Sequence, residues 1–132
     1  MSAKMSFHIE HIGLKAKDTG KLAAWYERIL GLRIIYRNQK EPPTFFLQGA
    51  EGSMLEILPD PRGAAGPSDP ENPKFHIAVS VANLEETVAA LGEEGVVFSE
   101  KIKEASGGVR LSVIRDPEGN DVQLIYRPHP FQ

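Results

Sequence analysis

Two histidines and two acid-or-amide residues stand at matching places in a sequence that repeats itself. His11-Ile12 lies seven residues before Asp18 and His76-Ile77 lies seven residues before Asn83, an offset of 65 in both cases. The run Gly52-Ser53-Met54-Leu55-Glu56-Ile57-Leu58 aligns with Gly119-Asn120-Asp121-Val122-Gln123-Leu124-Ile125 at an offset of 67. His11 is therefore equivalent to His76, and Glu56 to Gln123. If a pseudo-twofold axis relates the repeats, two imidazoles, one carboxylate and one amide oxygen converge in one cleft. That donor set suits nickel, zinc, cobalt, manganese or ferrous iron. A single strand histidine is ordinarily structural and a lone outward glutamate is ordinarily solvated. The coincidence at two pairs of matching positions favours a metal site. Glu56 lies between Leu55 and Ile57 on an apolar strand, so alternation turns its side chain away from theirs. The chain has no cysteine, which excludes thiolate metal sites and a cysteine nucleophile. His8 and His129 have no repeat partner and read as surface or structural residues.

The elements that must position these side chains follow from periodicity. Leu22, Trp25, Tyr26, Ile29 and Leu30 form one apolar helix face, with Asp18 as its N-cap and Gly31 as its C-terminal stop. Residues 7–16 read as a strand before it, and 33–37, 44–47 and 54–58 as three strands after it. Residues 59–74 hold five of the ten prolines and two glycines, too many for regular structure, and read as a linker. The pattern then restarts: a strand over 75–82, a helix capped by Asn83 with Leu84, Val88 and Leu91 inward, and strands over 96–99, 109–115 and 122–126. Glu86 is placed to complete a capping box with Asn83. The predicted fold is α+β: two β-α-β-β-β modules, residues 6–58 and 75–126, related by pseudo-twofold symmetry within a single domain.

Length and charge bound the rest. A chain of 132 residues can bury a sizeable core without disulfide or metal support. Fifteen Lys and Arg against eighteen Asp and Glu give a net charge of −3, and without a basic run this argues against nucleic acid as a partner. No stretch has the roughly 20 apolar residues of a membrane span, and the first residues do not read as a signal peptide. A cytoplasmic protein is the expectation.

His11-Ile12 leading through Asp18 to Ala24-Trp25-Tyr26 and Leu30-Gly31-Leu32 resembles the opening signature of the vicinal oxygen chelate superfamily. His76-Ile77-Ala78-Val79 and Asp116-Pro117-Glu118-Gly119-Asn120 resemble its second-module motifs. The family includes glyoxalase I, methylmalonyl-CoA epimerase, extradiol dioxygenases and the fosfomycin and bleomycin resistance proteins. The resemblance runs from about Phe7 to Tyr126. It implies paired modules in a glyoxalase-like incomplete barrel, a chelated divalent metal and a homodimer. It also implies that His11, Glu56, His76 and Gln123 are the four metal ligands. Gln123 departs from the His, Glu, His, Glu order of many bacterial glyoxalases, and the set mirrors the His, Gln, His, Glu of the epimerase.

Such a site implies a small-molecule substrate with vicinal oxygens and loss of a proton next to a carbonyl, as in a lyase or isomerase. Glu56, the one acid among the four, is expected to be both ligand and catalytic base. Lys15 and Arg110 are candidates to orient an anionic substrate. Lys15 stands where the resemblance leads one to expect a glutathione-contacting arginine, and Asp60 stands near an expected asparagine. Two alternatives use the same residues differently: an iron-dependent ring-cleaving dioxygenase, and a non-catalytic ligand-binding protein of the bleomycin-resistance type. Glu41-Pro42-Pro43 and the 103–108 loop are candidate pocket walls.

Overall fold

Asp18 has the extended backbone of an N-cap, and its side chain accepts from the Lys21 amide at 3.0 Å, starting helix α1 (Thr19–Leu30). Gly31 ends the helix in the left-handed conformation, φ +69°, where a side chain would be strained. These observations come from a computed structural model that describes residues 5–63 and 75–131. Residues 64–74, most of the expected linker, lie outside the described residues. The chain divides into two compact units, Met1–Gly63 and Ala64–Gln132.

In the first unit, β1 (His11–Ala16), β2 (Arg33–Arg37), β3 (Phe45–Gln48) and β4 (Met54–Pro59) form a sheet in the order β1-β4-β3-β2. β1 runs parallel to β4, and the other pairs are antiparallel. Leu22, Tyr26 and Ile29 of α1 are buried on the sheet face that carries Leu14, Ala16, Leu47, Leu55 and Ile57. Each fully buried aliphatic side chain contributes about 1.5–3 kcal/mol. The opposite face of the sheet carries His11, Lys15, Gln48 and Glu56 together with Phe46, Met54 and Leu58.

The second unit repeats the plan. β5 (His76–Ser80), α2 (Leu84–Glu93), β6 (Val97–Glu104), β7 (Arg110–Arg115) and β8 (Asp121–Tyr126) give a sheet ordered β5-β8-β7-β6. The Asn83 side chain accepts from the Glu86 amide at 3.0 Å to start α2. Leu84 and Leu91 of α2 are buried, as are Ile114, Val122 and Leu124 of the sheet, while Val88 is half-buried. The fold is thus α+β, two four-stranded mixed sheets of β-α-β-β-β order, neither closed into a barrel.

Two strands differ most from expectation. β1 begins at His11 rather than at residue 7, because its partner β4 begins at Met54, opposite His11, and among the described residues no strand pairs with the residues before it. β6 runs on to Glu104, well past residue 99. Its charged stretch, Glu100 to Glu104, hid an edge strand whose register with β7 shifts twice. All of the 103–108 segment except Ala105 is therefore strand or a short 3₁₀ turn.

Candidate metal centre

His11 and Glu56 face the same side of the first sheet. In the β1–β4 ladder His11 pairs with Met54 and Gly13 with Glu56, so the two site residues are diagonal neighbours on adjacent strands. His11 Nε2 stands 3.4 Å from Glu56 Oε1, with the side chains 37% and 21% exposed. The other ring nitrogen, Nδ1, lies 2.8 Å from Glu10 Oε1. A carboxylate only accepts, so the proton of this bond belongs to Nδ1, and in the Nδ1–H tautomer Nε2 carries a lone pair. Two ligand atoms each about 2.1 Å from one divalent ion stand roughly 3.0–3.4 Å apart. The observed separation falls within that range.

Small and aromatic neighbours shape the pair. A Cβ added to Gly13 would lie 3.1 Å from Leu58 Cδ1 and 3.8 Å from Glu56 Oε1, so the glycine leaves room for both side chains to lean over β1. The Phe46 ring meets the His11 ring edge-on at 5.3 Å, and Tyr36, half-exposed on β2, meets Phe46 at 6.1 Å. Beside the histidine there is an aromatic shelf open to solvent at its Tyr36 end. The Gly49–Ser53 turn, closed by Gly49 N–H donating to Ser53 O at 2.9 Å, sets the start of β4 and hence the register of Glu56.

The second unit repeats the register. His76 pairs with Asp121 and Ala78 with Gln123, so His76 and Gln123 stand in the same diagonal relation as His11 and Glu56. Gln123 is placed by the β7–β8 turn, where buried Asp116 accepts from the Glu118 and Asn120 amides and from Asn120 Nδ2 at 2.8–3.0 Å. Sequence reasoning missed Asp121. It shares the face of Gln123 by simple alternation, faces His76 across the ladder and stands 3.5 Å from Arg115 Nε. Both of those atoms are buried without a hydrogen-bond partner. Glu10 was also missed, since only the position of the His11 ring reveals it. Among the described residues no group of three or more His, Cys, Asp or Glu side chains could hold a metal ion by itself.

Lys15 and Arg110 stand apart from these pairs. Lys15 shares the His11 face but lies four residues along β1, about 13 Å away, where its Nζ is 3.6 Å from Asp60 Oδ2. Hydrogen bonds from the Arg62 amide and guanidinium, then the charges of Arg62 and Lys15, hold the Asp60 carboxyl below its usual value. Arg110 lies three residues from Val113, the partner of Gln123, and so on the α2 face of the sheet. There Nη1 donates to both Glu85 oxygens, at 2.5 and 3.1 Å. Glu41, Pro42 and Pro43 line a hollow at the start of α1 together with Thr19 and Arg37. Neither His11 nor Glu56 is among the residues lining it.

The chain belongs to the Glyoxalase/Bleomycin resistance protein/Dioxygenase superfamily, whose sequence profile matches residues 8–124. Among solved structures, a glyoxalase family protein from Enterococcus faecalis is 25% identical with a TM-score of 0.75, over 89% of this chain and 96% of that one. A lactoylglutathione lyase from Agrobacterium tumefaciens is 19% identical with a TM-score of 0.72, over 93% and 96%. TnmS3, an antibiotic binding protein from Streptomyces sp. CB03234, is 16% identical with a TM-score of 0.76, over 95% and 99%. Those last two share the fold. No curated protein matches the chain significantly. No helix among the described residues is long and apolar enough to cross a membrane.

Proposed function

We propose that the protein is a divalent-metal lyase or isomerase that removes a proton next to a carbonyl of a small substrate with vicinal oxygens. The observation that carries this reading is the 3.4 Å approach of His11 Nε2 to Glu56 Oε1, with Nδ1 engaged by Glu10. The proposed ligands are His11 and Glu56 from the first unit and His76 and Gln123 from the second, with nickel or zinc as the ion. A bound divalent ion supplies Lewis acidity for charge that develops on the substrate oxygens. Glu56 takes the proton, since it is the one acid of the four and its partly sheltered carboxylate lies beside the aromatic shelf. Phe46 and Tyr36 hold the apolar part of the substrate against the His11 ring, which limits its orientation.

A second reading is non-catalytic capture of a flat apolar ligand, favoured by Tyr36 standing 54% exposed at the open end of that shelf. Deuterium exchange separates the two. With α-hydroxy ketone or hemithioacetal probes in deuterated buffer, the metal-loaded protein is expected to incorporate deuterium, and Glu56→Gln to lose at least about 100-fold of that rate. Exchange that persists at the normal rate in Glu56→Gln removes the base from this account. No exchange by the native protein, together with micromolar binding of an aromatic ligand, supports the binding reading instead. Stoichiometric iron with oxygen uptake on a catechol would point to a ring-cleaving dioxygenase.

A further inference from the structure

We propose that Glu10 is a positioning residue that holds the His11 ring in the tautomer and orientation in which Nε2 is a metal ligand; the proposal rests on the metal reading of His11 and Glu56. The carboxylate lies 2.8 Å from Nδ1. Because it can only accept, it selects the Nδ1–H tautomer and leaves the Nε2 lone pair directed at the Glu56 side. Adjacent residues inside a strand point to opposite faces and cannot make this contact. Glu10 makes it because β1 begins at His11, leaving Glu10 outside the ladder and able to lie back along the ring. Phe46 meets the same ring edge-on at 74°, so the imidazole is held by a hydrogen bond and by an aromatic edge.

The device belongs to one repeat. At the offset of 65 that relates His11 to His76, the residue matching Glu10 is Phe75, which has no acceptor to offer. The two histidines are thus unequal ligands, and His11 is the pre-oriented one. At 68% exposure Glu10 is well solvated, so its effect belongs at the low end of the 10–100-fold range of such supporting contacts on metal affinity.

Two measurements on the full chain test this. In metal-free protein at about pH 9, where unperturbed imidazoles are neutral, nitrogen–proton correlation spectra are expected to show His11 as the Nδ1–H tautomer. Glu10→Ala should shift it toward Nε2–H and leave His76 unchanged. In zinc titrations against a chromophoric chelator, Glu10→Ala should weaken affinity about tenfold, and Glu10→Gln, whose amide oxygen still accepts from Nδ1, should recover most of the loss. Unchanged tautomer and unchanged zinc affinity in Glu10→Ala, with zinc lost in His11→Ala, overturn the role of Glu10 and leave the metal reading standing. A native protein that binds no zinc overturns both, even where the tautomer responds to Glu10.

Discussion

At the scale of the residue, His11 is the most constrained side chain of the candidate site, with a carboxylate toward each ring nitrogen and the Phe46 ring in a T-shaped contact. Gly13 makes this possible by having no side chain. Gly13→Val should push Leu58 and Glu56 aside, weakening zinc affinity about tenfold, or ~1.4 kcal/mol, while the thermal midpoint stays within a few degrees of native. Zinc titration and a melting curve on one preparation check it, and unchanged affinity would mean that the glycine does not make room for Glu56. The approach of His11 to Glu56 was legible in the sequence because repeat position and strand alternation are both written in residue order. Glu10 was not, because alternation sends a neighbouring residue to the opposite face, and only the late start of β1 lets it reach the ring. Arg110 shows the limit from the other side. A cation in the right strand looked like a substrate anchor, yet the parity of the β7–β8 register sets it against Glu85 on the helix face.

At the scale of the element, local chemistry was the better guide. Asp18, Asn83 and Gly31 each do what their residue types predict at a helix end. Strand limits were less legible, since they depend on where the partner begins: β1 is short because β4 starts at Met54, and β6 is long because β7 is there to pair with it. The Arg110–Glu85 pair ties α2 to β7 and carries a pH signature. Arg110, chiefly through its hydrogen bond, holds the Glu85 carboxyl below its ordinary value. A carboxyl lowered on folding adds stability that is complete above its unfolded value of about 4.3 and disappears as pH falls through the lower folded value. Glu85→Gln should therefore melt below the native protein at neutral pH, and the gap should close in acid, below about pH 4. A gap of constant size down to acid would show that the pair contributes through shape and not through charge.

At the scale of the whole molecule, the decisive regularity is that the ladder registers repeat as faithfully as the residues do. His11 opposite Met54 becomes His76 opposite Asp121, and Gly13 opposite Glu56 becomes Ala78 opposite Gln123. The offsets of 65 and 67 already contained this duplication, because a shift of one residue would have reversed every face. Not written there was how unequal the two copies are: a carboxylate behind one histidine, a phenylalanine before the other, and an Arg115–Asp121 pair in the second sheet alone. Each chain carries one copy of each proposed half-set of ligands, so the account requires one ion per chain. The most direct test is the metal content of the purified, nickel- or zinc-loaded protein measured beside His11→Ala and His76→Ala. The account predicts about one ion per native chain and less than about a tenth of that in each variant. A native protein without metal, or variants that keep the full complement, would contradict it.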